Sequence, residues 1–556
     1  MVCAGMFLFS SCTDFLKQEP RSALTSETFF SSLAHAESAV NGLYRDGIQS
    51  GNFINPDHYN GNHYMFGGYC TGFFDNLLWK GSSTPEMTFA QRLESSFLVR
   101  SMMINILFES PYRAINRANV VINVLPDVDL IASGISQSDF ERIMAEARFF
   151  RARNYLYLVR HFGDVPMITK PQAFGSDDLN VTRSPMKTIY DEVIIPDLQE
   201  AVRVLAVRNQ YGNKMRITAP IASAHLIDAC VQMAGYPLND ASKWALAAAE
   251  SKKFLPGGAY ESHFSLETNE DFAELSAYNK FRSVNVHVAS PGGRKLARSD
   301  EFVYAYEFAS GIDNARFSAN AWPYYLGSLG SDECKVIITN NVYQPMPRYL
   351  AMYDPANDLR MKERQFFANS FDLNSGEMLL FTADITPTPY FYHDYGAVKV
   401  VNSSGRHFAL YRLAEMYLFA AEAIAQTEGV TAQAVDALAV IRARAYEYGG
   451  ISKDKIAAEL SALSKDEFIE QVWLERYREL VFEWKEWNMI QRTRKYPKTY
   501  TMDASIPLGT VKFVDITTVG TGFSEPKLFT VNNLLWPIPW TQMRLNPNLT
   551  QNPGYE

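Results

Sequence analysis

The sequence is poor in cysteine, in clustered positive charge and in long apolar runs, and each shortage excludes a class of protein. Five cysteines stand among 556 residues and no C-x-x-C pair occurs, so neither a disulfide framework nor a zinc knuckle is indicated. The net charge is −9, with no basic cluster of the kind that follows a phosphate backbone, and nucleic acid is therefore not an expected partner. After Cys12, no stretch is long and apolar enough to cross a bilayer as a helix.

The short motifs of common enzyme classes are also missing. H-E-x-x-H, G-x-S-x-G, G-x-x-x-x-G-K-[ST] and a complete G-x-G-x-x-G do not occur. Of nine histidines, only His58 and His63 are neighbours in sequence, with Asp57 as the local candidate for a third metal ligand. Histidines of a surface loop explain this cluster better, so neither a metal nor a cofactor is expected. A catalytic pair far apart in sequence would escape such a search.

Glu475, Glu479 and Glu483 recur every four residues, which places them on one face of a predicted helix. Glycosidases use two carboxylates that flank a bond from opposite sides, which residues along one straight helix do not provide. Arg476 lies three residues from Glu479, and Arg478 lies three residues from Glu475, within pairing range. The pattern therefore favours a salt-bridged network that holds the helix to its neighbours.

A short apolar run near the start of the chain ends abruptly. Residues 2–9 are apolar, two serines follow, and the sequence turns polar after Cys12. This order is similar to the signal peptide of a bacterial lipoprotein, in which the cysteine becomes the acylated first residue. We expect a signal peptide at 1–11, lipidation of Cys12, and an anchor and tether at 12–26. Because no Lys or Arg precedes the run, the leader is expected to start upstream of Met1; a buried strand with an incidental cysteine is the alternative.

Apolar periodicity predicts a largely helical chain. One stripe recurs at spacings of three and four between 145 and 159, which predicts a helix that ends at Gly163. Two further helices are expected around a turn at 235–237, the second capped near Asn239 or Asp240. Alanines on both helices would let their backbones approach closely, as in tetratricopeptide-like hairpins.

More helices are predicted in the second half of the chain. A third pair is expected between Phe408 and about Tyr446, and the longest helix is expected to begin at a capping box of Ser464 and Glu467. Its apolar stripe is expected to comprise Ile469, Trp473, Tyr477, Leu480, Trp484 and Trp487.

Two regions lack helical periodicity. Between about 255 and 400, Pro, Gly, Asn and aromatic residues predict turns and short strands, and loops of this length usually carry function. The last residues, "LLWPIPWTQMRLNPNLTQNPGYE", predict extended and turning backbone rather than helix.

Several segments, taken in order, resemble one known family. They are "DFL" after Cys12, "ETFFSSLAHAESAVNGLY", "HFGDVPMI", "YDPANDLR", "YRLAEMYLFAAEA", "ERYRELVFEWKEWNMIQR" and "LLWPIPWTQMRLNPNLTQNPGY". Together they are similar to the SusD/RagB family, the nutrient-binding outer-membrane lipoproteins of Bacteroidetes. Trp484 and Met489 depart from the family pattern, which usually has Gly and Asp at these positions.

The resemblance implies a mainly α fold in which tetratricopeptide-like helix pairs pack against an irregular, loop-rich part with a few short strands. It implies a single domain at 27–556. Within that domain we expect a helical body at about 27–253 and 408–495, a loop-rich ligand-facing part at about 254–407 and an extended C-terminal segment at about 496–556. The resemblance also implies no catalytic activity, a lipid anchor in the outer membrane with the protein exposed at the cell surface, and a SusC-like TonB-dependent transporter as partner.

Aromatic residues make up 13% of the chain, and some lie in predicted loops. A sugar ring has apolar C–H faces and hydroxyl groups, so its receptor needs flat aromatic side chains beside planar polar ones. Two segments fit, "HYMFGGYCTGFFDNLLWKG" and "EFASGIDNARFSANAWPYYLG". The candidate ligand-binding residues are Trp79, Asn76, Trp322, Tyr324 and Tyr325, with Tyr64, Tyr69 and Arg316 as outer candidates. Packing of these rings within their own domain is the alternative.

The leading hypothesis is therefore a surface lipoprotein that binds an oligosaccharide and delivers it to an outer-membrane transporter. Capture of peptides by the same architecture is the nearest alternative. A surface glycoside hydrolase and a purely structural lid for the transporter are the other two.

Overall fold

The computed structural model describes most of the helical part of the chain and selected pieces of the rest. The described residues are 30–44, 67–75, 98–172, 180–208, 216–266, 300–306, 344–362, 365–372, 378–380, 387–389, 408–520 and 528–556. Helices dominate these ranges, and the strands are few and short, as the sequence predicts. No helix in the described part of the chain combines the length and the apolar character needed to cross a membrane.

The α-helices alternate with short connections before and after a long central interval. They are α1 Leu33–Leu43, α2 Met102–Val124, α3 Gln137–Phe162, α4 Met186–Ile189, α5 Ile195–Val204, α6 Ala219–Ala234, α7 Lys243–Lys252, α8 Pro347–Leu350, α9 Leu413–Glu428, α10 Ala432–Tyr446, α11 Lys453–Ser461, α12 Lys465–Glu479, α13 Glu486–Thr493 and α14 Trp540–Leu545.

Local sequence signals set several helix ends. Helix α3 begins after Ser136, whose hydroxyl accepts a hydrogen bond from the Asp139 backbone amide. It ends at Gly163, whose positive φ of 71° suits a residue without a Cβ. The predicted capping box of Ser464 and Glu467 is present at the start of α12. The predicted helix end at Gly163 and the predicted start at Ser464 are therefore confirmed.

The helices pack as a stack in which each contacts the next. Helix α2 packs on α3, α3 on α5, α5 on α6, α6 on α7, α7 on α9, α9 on α10, and α10 on α11. This succession fits the tetratricopeptide-like helix pairs expected from the sequence. Helices α7 and α9 are direct neighbours although the loop-rich interval separates them in the chain, so that interval is an insertion into a continuous stack.

The strands form antiparallel two-stranded ladders. They are β1 Phe74–Asp75, β2 Val165–Pro166, β3 Arg183–Ser184, β4 Phe302–Tyr306, β5 Gln344–Pro345, β6 Phe367–Ala368, β7 Ser370–Asp372, β8 Met378–Leu380, β9 Thr388–Pro389, β10 Phe408–Arg412, β11 Lys495–Lys498 and β12 Lys512–Asp515. The pairs are β1 with β5, β2 with β3, β4 with β10, β6 with β9, β7 with β8, and β11 with β12.

Three sequence predictions about helices are wrong. Helix α7 begins after Ser242, because the Asp240 carboxylate accepts hydrogen bonds from the Ser242 amide and hydroxyl and so closes a turn instead of capping the helix. Helix α12 is shorter than α3 and stops at Glu479, before the predicted stripe is complete. The C-terminal segment includes a short helix, α14, where only extended and turning backbone is predicted.

The break after α12 has a clear backbone cause. Phe482 and Trp484 adopt left-handed conformations, with φ values of 65° and 57°, and these cannot continue a right-handed helix. The chain turns here and resumes as α13. Leu480, Trp484 and Trp487 are nevertheless buried, because the connection and α13 pack on the same core that the stripe faces.

Candidate ligand-binding site

Of the eight candidate ligand-binding residues, only Tyr69 lies in the part of the chain that the structure describes. Tyr69 is 8% exposed and belongs to the hydrophobic core, where burial, followed by the nearby Asp75, raises the pKa of its hydroxyl. Its contact with a ligand stays a prediction. The remaining candidates lie outside the described residues, and these are Tyr64, Asn76, Trp79, Arg316, Trp322, Tyr324 and Tyr325. Cys12, the predicted lipidation site, and the histidines at 58 and 63 also lie outside the described residues.

The structure places the described part of the first candidate segment next to residues that follow the interval containing the second. In the β1–β5 ladder, Phe74 pairs with Pro345 and Asp75 pairs with Gln344. Asn76 is the next residue after Asp75, and Gln344 follows the interval that contains Trp322. Residues paired in an antiparallel ladder have Cα atoms about 4.5–5.5 Å apart. The ladder therefore brings the last described residues of the first segment next to the first described residues after the interval that contains the second.

A cluster of aromatic rings packs against this ladder and connects it to the helical stack. The cluster, called the aromatic bed below, comprises Phe73, Phe74, Tyr349, Phe482 and Tyr496. Phe73 stacks on Tyr496 with ring centroids 4.7 Å apart and meets Tyr349 edge-on at 5.2 Å. Phe74 lies 5.0 Å from Tyr349 and 5.9 Å from Phe482. These contacts give the ladder a rigid apolar base, because aromatic pairs at such distances add to the effect of burial.

Phe482 extends the bed beneath a second ladder. Its ring lies 5.6 Å from Phe367 of β6, which pairs with β9. The amide of Gln344 in β5 donates a hydrogen bond to the Pro387 carbonyl next to β9. The left-handed backbone at Phe482 thus places one ring against both ladders.

Buried ion pairs join the loop-rich part to α12. Arg360 is fully buried; its guanidinium donates to Asp358 at 2.8 Å, to Glu475 at 2.9 Å and to Glu479 at 3.2 Å. The predicted salt-bridged network is therefore confirmed. Asp358 and Arg360 come from the loop-rich interval and Glu475 and Glu479 from the helix, so the network fixes one part of the molecule to the other.

A second arginine ties the root of the loop-rich part into the same network. Arg412, at the end of β10, donates to Glu301 at 2.6 Å, to Glu479 at 3.1 Å and to Glu483 at 2.6 Å. Arg444 of α10 donates to Glu301 at 2.7 Å and to Glu479 at 2.6 Å. The β4–β10 ladder, which leads into the interval with Trp322, is thus held from beneath by shared carboxylates.

One of the two predicted pairings is wrong, and so is the predicted position of one glutamate. Arg478 lies 3.5 Å from Glu475, as the spacing predicts. Arg476, however, pairs with Glu415 of α9 at 2.7 Å and not with Glu479. Glu483 lies beyond the end of α12, in the left-handed connection, and so it does not share the helix face.

The carboxylates of the network differ in pKa. Burial would raise the pKa of Glu475, but Arg360, Arg442 and Arg478 outweigh it and lower the value to about 2. Burial raises the pKa of Glu483 to about 7 against the opposing effect of Arg412. Burial also raises the pKa of Glu486 to about 8. All three side chains are at most 4% exposed, so they offer no open surface to a substrate.

A small cavity of about 100 Å³ lies beside this connection. Its lining includes Arg153, His225, Glu483, Lys485 and Trp487. Burial and the Arg153 charge lower the pKa of His225 to about 3, so its ring is neutral at physiological pH. Among the described residues, no group of three His, Cys, Asp or Glu side chains is placed to hold a metal ion.

Sequence reasoning missed Arg412, Arg444 and the aromatic bed. Arg412 interrupts the apolar run "FALYRLAEMYLFAA", and a charge inside an apolar run is a signal for a buried ion pair. The bed gives no comparable signal, since its rings come from separate stretches of the chain.

Comparison with known proteins agrees with this architecture. A family model described as SusD family matches residues 386–555, and one described as starch-binding, associating with the outer membrane, matches residues 14–227. SusD-like protein P2 of Formosa agariphila is 23% identical over 98% of this chain and 97% of its own length.

Solved structures give the same result. The crystal structure of a SusD superfamily protein from Parabacteroides distasonis is 25% identical, with a TM-score of 0.72 over 94% of this chain and 99% of that one. A protein described as a laminarin-binding SusD-like protein, 19% identical, matches in fold with a TM-score of 0.63 over 94% of this chain and 99% of its own. The two family models, the full-length relative and the shared fold agree, and the chain belongs to the SusD/RagB family.

Proposed function

We propose that this chain is a lipid-anchored protein of the cell surface that binds an oligosaccharide and delivers it to a TonB-dependent transporter of the outer membrane. One observation carries the binding step. The β1–β5 ladder, packed on the aromatic bed, pairs Asp75 of the first segment with Gln344, the first described residue after the interval that contains the second segment. A receptor for sugar needs several aromatic and polar side chains held near one another, and this pairing favours that arrangement.

Family membership supports the same choice of ligand. One matching model is described as starch-binding, and one structural neighbour is described as binding laminarin, which is also a glycan. The buried network of Arg360 and Arg412 restrains the base of the ligand-facing part, and a restrained site loses less entropy on binding. In this proposal the ligand is held without a change in its covalent bonds.

Titration calorimetry with oligosaccharides selected on a glycan array tests the binding step. Trp79→Ala and Trp322→Ala are each expected to lower affinity roughly ten-fold, because each removes one stacking surface. Trp540→Ala is the matched control, since this tryptophan is 43% exposed and lies on α14, outside both segments of the sequence. Unchanged affinity in both test variants would show that the ligand binds outside these two segments. Binding of peptides but not of glycans would show that the ligand is a peptide.

The anchor, the transporter and the absence of turnover have separate tests. Metabolic labelling with a fatty acid is expected to tag the wild-type protein, and Cys12→Ser is expected to abolish the label. Affinity purification from the native membrane is expected to recover a large β-barrel receptor. Release of new reducing ends from a bound glycan by the purified protein would overturn the proposal and indicate a hydrolase.

A further inference from the structure

A second, larger cavity is lined by residues outside the two candidate segments. It has a volume of about 260 Å³, and none of the described residues of the loop-rich interval lines it. It is enclosed by the turn between α6 and α7, by the end of α13 and by the C-terminal segment. The lining residues that matter here are Met186, Tyr236, Gln491, Arg494, Val531 and Leu534.

Arg494 places a positively charged guanidinium in the wall of this cavity. It follows the last residue of α13, and burial lowers the pKa of its guanidinium despite the nearby Tyr236 and Asp515. Its Nε and Nη1 atoms are buried and have no hydrogen-bond partner. In the parts of the chain that the structure describes, no carboxylate lies within ion-pair distance of Arg494. A partly desolvated cation of this kind is stabilised by an anionic group.

Tyr236 supplies an exposed aromatic surface next to that charge. Its side chain is 48% exposed, and its ring lies 5.5 Å from the guanidinium carbon of Arg494. The position is fixed by the backbone, since the Tyr236 amide donates to the Arg492 carbonyl at 2.8 Å. Gly235 approaches so closely that a Cβ there would lie 2.5 Å from the same oxygen. The ring and the charge are therefore held together in advance of binding.

Gln491 adds a fixed polar group to the wall. It is 7% exposed, and its amide nitrogen donates to the carbonyls of Arg160 at 3.0 Å and Leu534 at 2.7 Å. Its Oε1 is buried and has no hydrogen-bond partner. Val531, 52% exposed, adds apolar surface. The cavity thus combines an aromatic face, a cation, an amide oxygen and apolar walls.

We propose that this cavity binds a single sugar ring that carries a carboxylate or sulfate group. A ring face with C–H groups fits Tyr236, the acidic group fits Arg494, and a sugar hydroxyl can donate a hydrogen bond to the Gln491 Oε1. Cavities for drug-sized ligands begin at about 300 Å³, so this one suits one ring and not a chain. The choice of a sugar over a peptide C-terminus as the ligand rests on the proposed function. The geometry of the cavity does not depend on the proposed function.

The test uses the full chain and four simple probes in NMR titrations: galacturonate, glucuronate, galactose and glucose. The wild-type protein is expected to bind at least one uronate roughly ten-fold more tightly than its neutral counterpart, because a charge-assisted hydrogen bond is stronger than a neutral one. Arg494→Gln is expected to remove that preference. Tyr236→Ala is expected to weaken uronate binding several-fold.

Matched variants separate the cavity from general effects. Tyr500→Ala changes a tyrosine that is also 48% exposed, and Arg113→Gln changes an exposed arginine on α2; both are expected to bind uronate as wild type does. Three results would each overturn the inference. They are equal binding of neutral and acidic sugars, equal effects of the cavity and control variants, and tighter binding of a dipeptide with a free carboxylate.

The outcome is independent of the oligosaccharide site. A Trp79→Ala, Trp322→Ala double variant is expected to lose oligosaccharide binding and to keep uronate binding. Loss of both would show that the uronate binds in the loops, which would overturn the inference. Retained uronate binding that depends on Arg494, in a protein that binds no oligosaccharide, would support the cavity and refute the proposed function.

Discussion

Replacement of Arg412 by methionine tests whether the buried network holds the ligand-facing part on the helical stack. The guanidinium of Arg412 is fully buried and bonds to the carboxylates of Glu301, Glu479 and Glu483 and to the Glu479 carbonyl. Methionine keeps a similar length and apolar volume but supplies no donor. Arg444 still serves Glu301 and Glu479, whereas Glu483 loses both bonds that Arg412 makes to its Oε1.

The magnitude follows from the charge that is left unpaired. Removal of one partner from a buried ion pair lowers the free energy of unfolding by about 3–5 kcal/mol. A natural domain has about 5–15 kcal/mol in total, so the loss is a large fraction of the stability. The full effect is expected near pH 8, where Glu483 is ionised. It is expected to be smaller near pH 5.5, because Glu483, with its pKa of about 7, is then already protonated.

Urea denaturation followed by circular dichroism at the two pH values measures this effect. Arg113→Met is the control, because Arg113 lies 3.8 Å from Glu109 in an exposed pair. Surface changes of this kind usually alter the free energy of unfolding by less than about 0.5 kcal/mol. At a temperature where the Arg412→Met protein is still folded, glycan affinity is also expected to fall, since the β4–β10 root is released.

Equal stability of the Arg412 and Arg113 variants would refute the argument from buried charge. A loss of stability that is identical at pH 8 and pH 5.5 would refute the role given to Glu483. Normal glycan affinity in a clearly destabilised Arg412 variant would show that the network stabilises the fold without restraining the ligand-facing part.

Three further substitutions test local features by urea denaturation. Between about pH 4.5 and pH 8, the free energy of unfolding of Glu486→Gln is expected to rise relative to wild type by on the order of 1.4 kcal/mol per pH unit. The reason is that the wild-type carboxyl ionises at lower pH in the unfolded state than in the folded state. A difference that does not change with pH would contradict this. Trp484→Gly is expected to lose about 2–4 kcal/mol, because the lost burial of the indole exceeds the relief of its left-handed backbone, and a stabilised variant would contradict this. Ser464→Ala is expected to lose about 1 kcal/mol, and Ser464→Asp, which also caps, is expected to restore it; a loss of similar size in both would contradict the capping role.

Features that depend on neighbouring residues could be predicted from the sequence. Gly163 ends α3 and Ser464 caps α12 as expected, because each acts within one helical turn. Features that depend on distant parts of the chain could not. Arg476 selects Glu415 of another helix over Glu479 nearby, and sequence spacing does not show which helix face meets which. The end of α12 escaped prediction because left-handed backbone at Trp484 is rare for a bulky residue.

The candidate ligand site shows the same division. Composition and loop position select the two aromatic-rich segments, but nothing in either segment indicates that Asp75 pairs with Gln344. That pairing is set by the bed of rings beneath it, to which Tyr349, Tyr496 and Phe482 contribute from separate parts of the chain. The cavity at Arg494 is a further case, since its walls come from the middle and the end of the sequence.

The direct packing of α7 on α9 has a consequence for how such proteins diversify. The interval between these two helices enters and leaves a scaffold that is already continuous without it. Mutations, insertions and deletions in that interval, outside the buried residues Glu301, Arg360 and Arg412, can therefore accumulate while the stacked helices keep their mutual contacts. Evolution can vary this insertion while the helical scaffold is retained.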